Sequence, residues 1–203
     1  MTIKLFYRFL LRVIDAVPAI FLILVCIFFV SAQSAIEPGE HFKLNGVRLA
    51  SPDQNGWHIS KSDKLEIIFD FSGDGKTSRA FAKVGPSNAL TGSGKFFEEF
   101  EVLKTSELEN LENLKRDSLH FNKTSFNEVV CMQYDSSLKN LAAAPRTFEY
   151  YNVYGYSCPH PLAKDRFVQL EFSNRSNTKG FSEADIKLFK RYFDSIRFTK
   201  VQD

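Results

Sequence analysis

The chain is poor in cysteine, with three among 203 residues, and it has two methionines, one tryptophan and seven prolines. Cys26, Cys131 and Cys158 stand far apart, which argues against the closely spaced ligand pairs of structural zinc sites. A surplus of charge is missing too. Residues 1–34 hold three basic residues (Lys4, Arg8, Arg12) and one acid (Asp15), so the rest of the chain carries 23 of each sign. A neutral body without a basic tract argues against nucleic acid and against a polybasic grip on anionic lipid. No G-x-S-x-G, H-E-x-x-H or G-x-G-x-x-G context occurs, which removes the commonest hydrolase, metalloprotease and dinucleotide templates. Repeats and low-complexity linkers are absent, so residues 35–203 read as one domain with a sizeable core.

What is present begins with one long apolar run. "AVPAIFLILVCIFFVSA", residues 16–32, follows a basic start and ends in small residues, the pattern of an export signal. Residues 1–34 are therefore a signal peptide cleaved after Ala32 or Ser34, or an uncleaved signal-anchor. In both cases the positive flank stays in the cytosol and the remainder is exported, to a periplasm, the outer face of an inner membrane, or beyond. Membrane contact is expected only through residues 16–32, and only if they are retained. Cys26 follows Leu24-Val25 rather than a small residue, which argues against lipid attachment.

Phenylalanine is abundant, at 21 residues, and points to a packed interior. Asn45-Gly46 between short alternating runs signals a two-residue hairpin. Trp57 and Ile59 open the next strand, and "SGDGKT" joins strands at 64–71 and 78–84. Residues 85–94 read as a loop. Residues 95–117 carry helical spacing through Phe96, Phe100 and Leu103, then Leu108, Leu111 and Leu114; Ser106 with Glu109 predicts a fresh start near Thr105. Strands are expected at 125–134, 146–158 and 165–172 from their β-branched and aromatic content. Ser182 and Asp185 form a capping box for a final helix with Phe181 as staple and Ile186, Phe189 and Phe193 inward; "SIRF" closes the chain. The expected class is α+β with a largely antiparallel sheet and packed helices.

The late helix running into "YFDSIRF", residues 192–198, gives this order a resemblance to the PsbP-like α/β/α sandwich over residues 56–200. That superfamily includes photosystem accessory subunits and yeast Ran-binding relatives. "YSCPHP" and "FVQLEFSNRS" also look like segments of uncharacterised small exported bacterial proteins. The resemblance implies a docking or accessory role and supplies no catalytic residues.

Among candidate sites, Cys131 and Cys158 come first. An oxidising compartment and an even count once Cys26 is set aside predict a disulfide between neighbouring strands, worth about 3–4 kcal/mol. The competing reading makes Cys131, Cys158 and His160 metal ligands, or a cysteine nucleophile with its base. It lacks a fourth ligand, since His41, His58 and His120 are scattered. "DFSGDG" copies half a calcium loop from Asp70 to Asp74, but Phe81 stands where the bidentate glutamate belongs. "TGSGKF" misses a phosphate loop at Ala89 and Phe96. In "TFEYYNVYGY" a period of two puts Phe148, Tyr150, Tyr154 and Tyr156 on one face with Cys158, and Tyr151 on the other. These tyrosines offer a contact surface, set against a packing role for the same rings. No metal and no cofactor is expected. The leading expectation is a non-enzymatic exported module that binds an unidentified protein or small molecule. The alternative is a metal-dependent or cysteine-dependent hydrolase built on Cys131, His160 or Asp70.

Overall fold

In the computed structural model, which describes residues 35–73, 75–87, 95–142 and 148–202, Asn45-Gly46 makes the expected reversal. Gly46 adopts φ +105°, a region costly for any residue with a Cβ, and β1 (His41–Leu44) returns as β2 (Val47–Ala50). β3 (Trp57–Ser62), β4 (Glu66–Gly73) and β5 (Lys76–Pro86) follow as a meander. Residues 1–34, expected to be a signal or anchor, lie outside the described residues, as do 88–94 of the loop that holds the phosphate-loop look-alike.

The expected helix is shorter and more continuous than its leucine spacing suggests. α1 (Phe96–Glu109) runs through Thr105 without a break. Inside a helix the amide of each residue already has a carbonyl four residues back, so the Ser106–Glu109 pair has no orphan donor to cap. The side chain of Asn110 instead donates to Ser106 Oγ at the C-terminal end. Leu111 lies past the helix end and Leu114 belongs to β6 (Leu114–Phe126), with Asn113 at φ +60° between the two elements. The predicted strand 125–134 likewise contains a reversal. Asn127 and Glu128 take φ +48° and +66°, both left-handed as a type I′ turn requires, and β6 returns as β7 (Val129–Asn140). Asn127 Nδ2 also donates to the Ile196 carbonyl, which holds the turn in place.

β8 (Tyr150–Pro159), β9 (Arg166–Ser176), α2 (Glu183–Asp194) and β10 (Arg197–Phe198) complete the chain. Seven strands form one sheet in the order β3-β4-β5-β9-β8-β7-β6, and β1-β2-β10 form a second. Every pairing is antiparallel, so the class is α+β with mostly antiparallel sheets and two described helices. No described helix is long and apolar enough to cross a membrane.

Period-two alternation sends the large sheet's side chains to two faces. Phe69, Ala80, Leu170 and Phe172 join Leu49, Phe189 and Phe193 in one core, beneath α2 and the small sheet. Tyr134, Leu138 and Val153 join Phe100 and Leu108 in a second core, beneath α1. The α2 capping box forms as expected, with Asp185 N–H donating to Ser182 Oγ and Ser182 N–H donating to Asp185 Oδ2. Its buried stripe is Leu188, Phe189, Tyr192 and Phe193, with Ile186 half-buried at the margin rather than in the stripe.

A polar network fixes how α2 docks. Asn152 is fully buried and uses all its amide capacity. Its Oδ1 accepts from Ser137 Oγ at 2.7 Å and Gly180 N–H at 2.8 Å; its Nδ2 donates to Asn174 Oδ1 at 2.9 Å and the Thr178 carbonyl at 3.2 Å. Asn174 passes the chain on to Asp185 Oδ2, and Lys76 pairs with Asp185 Oδ1 at 2.7 Å. Burial works to raise the Asp185 carboxyl and is outweighed by hydrogen bonds from Lys76 and Ser182, so its net shift is downward. Asn174-Arg175-Ser176 has the spacing of a glycosylation acceptor, but the buried, engaged Asn174 amide makes the folded chain a poor acceptor there.

Candidate functional site

Cys131 and Cys158 are bonded to each other, with Cα atoms 4.4 Å apart across β7 and β8. They occupy the rung next to the Met132–Ser157 pair, and both are fully buried. The disulfide points to an oxidising, extracytoplasmic compartment. It also removes both sulfurs from any metal or nucleophile chemistry, correcting the competing reading of this region. His160 is buried and spends both ring nitrogens on backbone: Nδ1 accepts from Leu162 N–H at 3.1 Å and Nε2 donates to the Gly46 carbonyl at 2.9 Å. Its role is to latch the Pro159–Ala163 turn onto the first hairpin. A Cβ at Gly46 would stand 2.8 Å from Nε2, so the glycine serves both the turn and the latch. Among the described residues no three His, Cys, Asp or Glu side chains converge as a metal site.

The tyrosine-rich strand divides between two environments. Tyr154 stacks on Phe189 at 4.7 Å and Tyr156 on Phe126 at 4.7 Å, and their hydroxyls are 2.9 Å apart. Both are half-buried packing residues beneath α2; Tyr150 is half-buried at the strand's start. Phe148 does not share their face, as period two had predicted. It precedes the first residue of β8, where strand alternation does not yet hold, and it meets Arg175 together with Tyr151.

That meeting marks the open part of the sheet. α1 covers the β6-β7-β8 part of its face and reaches Glu171 on β9, and no described helix covers the same face over β3, β4 and β5. Register builds two cross-strand rows there. His58, Asp70, Arg79 and Ser173 lie side by side on β3, β4, β5 and β9. Ser72, Thr77, Arg175 and Tyr151 form the neighbouring row on β4, β5, β9 and β8. They line a cavity of about 240 Å³. A second cavity of about 450 Å³ adjoins it, shares Ser72, Thr77 and Arg175, and adds Lys76 and Phe148.

Asp70 is engaged by an arginine. It takes a two-point bond from Arg79, Nε to Oδ1 at 2.8 Å and Nη2 to Oδ2 at 3.1 Å. Asp74, its expected partner, lies outside the described residues. Burial would raise Asp70, but hydrogen bonds from Arg79 and Ser60 outweigh it and hold the carboxyl below its ordinary value. Arg175 is held differently. Its guanidinium lies over the Phe148 ring at 5.2 Å and the Tyr151 ring at 5.7 Å, and no carboxylate among the described residues pairs with it. Burial, aided by Glu171, pushes the Tyr151 phenol up, so it stays a neutral hydroxyl.

Beneath α1 lies a buried ion pair that the leucine pattern hid. Phe96, Phe100, Lys104 and Leu108 form the helix's inward stripe, at steps of four, while Leu103 is 52% exposed. Lys104 Nζ donates to Glu171 Oε2 at 2.7 Å, and Tyr134 Oη donates to the same oxygen at 2.9 Å. Burial alone would lower the Lys104 ammonium; Glu171 and then Glu107 outweigh it and leave it raised. Gly155 makes room for this cluster, since a Cβ there would come within 2.5 Å of Tyr134 Oη and 2.4 Å of the Leu170 carbonyl.

Sequence reading missed His58, Arg79 and Arg175 as site residues because only strand register brings them together. The one usable signal was the alternation in "SRAFAKV" and "FSNRS", which puts each arginine opposite a buried neighbour. No protein-family model and no curated protein matches this sequence.

Proposed function

We propose that the chain is an exported, non-enzymatic binding module that takes its ligand on the uncovered half of the seven-stranded sheet. One observation carries the reading: two registered rows of polar and charged side chains, His58-Asp70-Arg79-Ser173 and Ser72-Thr77-Arg175-Tyr151, line one concavity, with Ser72, Thr77, Arg79 and Arg175 exposed and Ser173 and Tyr151 at its packed end. Placing arginines and hydroxyls in a concavity, beside an interior this well packed, gives a surface shaped for contact. The PsbP-like α/β/α sandwich is the finer fold we assign. One helix on each face of an antiparallel sheet supports it, and so does α2 leading into a terminal strand. The accessory role that this resemblance implies agrees with a groove whose two-point Asp70–Arg79 clasp holds one arginine in place beside a second. Periplasmic, envelope-attached or secreted placement follows from the same export reading.

The test is a photo-crosslinking residue at Thr77, on the exposed floor of the groove, in the cells that make the protein. A control position is Leu162, which is exposed on the Pro159–Ala163 turn. A discrete adduct from Thr77 and none from Leu162 is expected. Equal labelling at both positions, or none at Thr77, removes the groove as the contact site.

A further inference from the structure

We infer that the groove recognises a carboxylate, and that Arg175 is the residue that grips it. The inference rests on the reading of the groove as the ligand site and names the chemistry of what enters. The two arginines of the lining are not equivalent. Arg79 has its fork closed on Asp70. Arg175 has its guanidinium carbon 5.2 Å from the Phe148 ring centre and 5.7 Å from that of Tyr151, and it has no carboxylate partner among the described residues. Two ring contacts restrain a guanidinium without using its N–H donors, which lowers the ordering cost of a bidentate contact.

The charge count selects the ligand's valence. With Asp70 against Arg79 and Arg175, the carboxylate and guanidinium groups of the lining leave one positive charge in excess. Lys76, in the adjoining cavity, is already matched by Asp185. A monoanion balances that excess, whereas a phosphate dianion would overfill it next to the Asp70 carboxylate. Geometry agrees: the planar fork of an arginine matches the two oxygens of a carboxylate. The exposed hydroxyls of Ser72 and Thr77 border the same space and can donate to an anion. The cavity of about 240 Å³ falls short of the roughly 300–1,000 Å³ of sites for drug-sized ligands. It suits a small acid, or the acidic end of a longer ligand that continues into the adjoining space.

Titration of the isotope-labelled full chain with benzoate, followed by amide NMR, tests this. Benzamide and inorganic phosphate serve as matched probes. Benzoate is expected to shift the amides of Thr77, Tyr151, Ser173 and Arg175 saturably, with the other two probes much weaker. Arg175→Gln should weaken benzoate by about tenfold or more, the loss of a charge-assisted contact, while Lys43→Gln changes nothing. The thermal midpoint of the Arg175→Gln chain reports that it is folded. Benzamide or phosphate matching benzoate in the groove overturns the carboxylate assignment, as does benzoate binding that survives Arg175→Gln or a failure of benzoate to shift these amides. A specific Thr77 crosslink with no benzoate response would keep the groove as a contact site and remove the carboxylate from it.

Discussion

Replacing Lys104 by Met tests how the helix α1 is held. The side chain is 1% exposed and its partner Glu171 is 5% exposed, so the pair lies in the interior. Methionine refills most of the lysine stem, which keeps any cavity contribution small. What remains is a carboxylate stranded without its cation, still accepting one hydrogen bond from Tyr134. Breaking a buried pair on one side costs about 3–5 kcal/mol, and the surviving Tyr134 contact places the expectation near the lower end, about 3 kcal/mol. The contact of Lys104 with the exposed Glu107 adds little. Urea unfolding followed by circular dichroism should show a lower midpoint at an unchanged slope. The thermal midpoint should fall by roughly 6–12 °C for a domain of this size. The double variant Lys104→Met/Glu171→Gln should recover most of the loss, because glutamine still accepts from Tyr134 and carries no charge. The pH dependence has a definite sign. Lys104 is raised in the folded state, so its stabilisation is complete below the unfolded lysine value of about 10.4 and is lost only as pH climbs through the folded one. A single variant costing under about 1 kcal/mol, or a double variant no more stable than the single, would refute the picture of a buried pair whose members depend on each other.

Thiol titration of the denatured, unreduced full chain should find one reactive cysteine, Cys26, and replacing Cys131 and Cys158 together by serine should lower stability by about 3–4 kcal/mol in urea. Asp185 is held down in the folded state, so its contribution is present above the unfolded value of about 3.9 and fades as pH falls through the folded one. Lys76→Met should therefore flatten the acid limb of a stability–pH curve, measured by thermal midpoint between pH 2 and 6. Gly155→Ala should destabilise by at least about 2 kcal/mol, since its methyl has a backbone carbonyl in the way; a neutral result in the same urea assay would contradict the packing around Tyr134.

The parts of the fold legible in the sequence are those whose cause is local. Asn45-Gly46 and the Ser182/Asp185 box need only their own neighbours, and both form as read. The disulfide was legible through compartment and parity. Residues 111–126 were not, because Leu111 and Leu114 continue a helical spacing that Asn110 and Asn113 interrupt, and a strand pairing with β7 wins over local propensity. Lys104 drew no notice, because a charge at that position is inward only if Glu171, on a distant strand, meets it. The groove failed for the same reason: Asp70 drew notice for half a calcium loop, Tyr151 and Phe148 for the aromatic strand and His58 only as a scattered histidine, and nothing joined them. Cross-strand neighbours belong to the register, and register is not written in any single segment.

The placement of the sulfur bridge has a consequence for how the chain is made. It occupies a rung of the same ladder as every β7–β8 partner pair, so it forbids slippage between those two strands. A slip of one residue by β7 along β8 would turn Tyr134 toward α2 and drive Gln133 and Asp135 under α1. Chain synthesised in a reducing compartment has only side-chain fit to prevent that misalignment. Oxidation soon after translocation closes off the error covalently, so we expect correctly aligned sheet from an oxidising host and a mixture of strand alignments, prone to aggregate, from a reducing one.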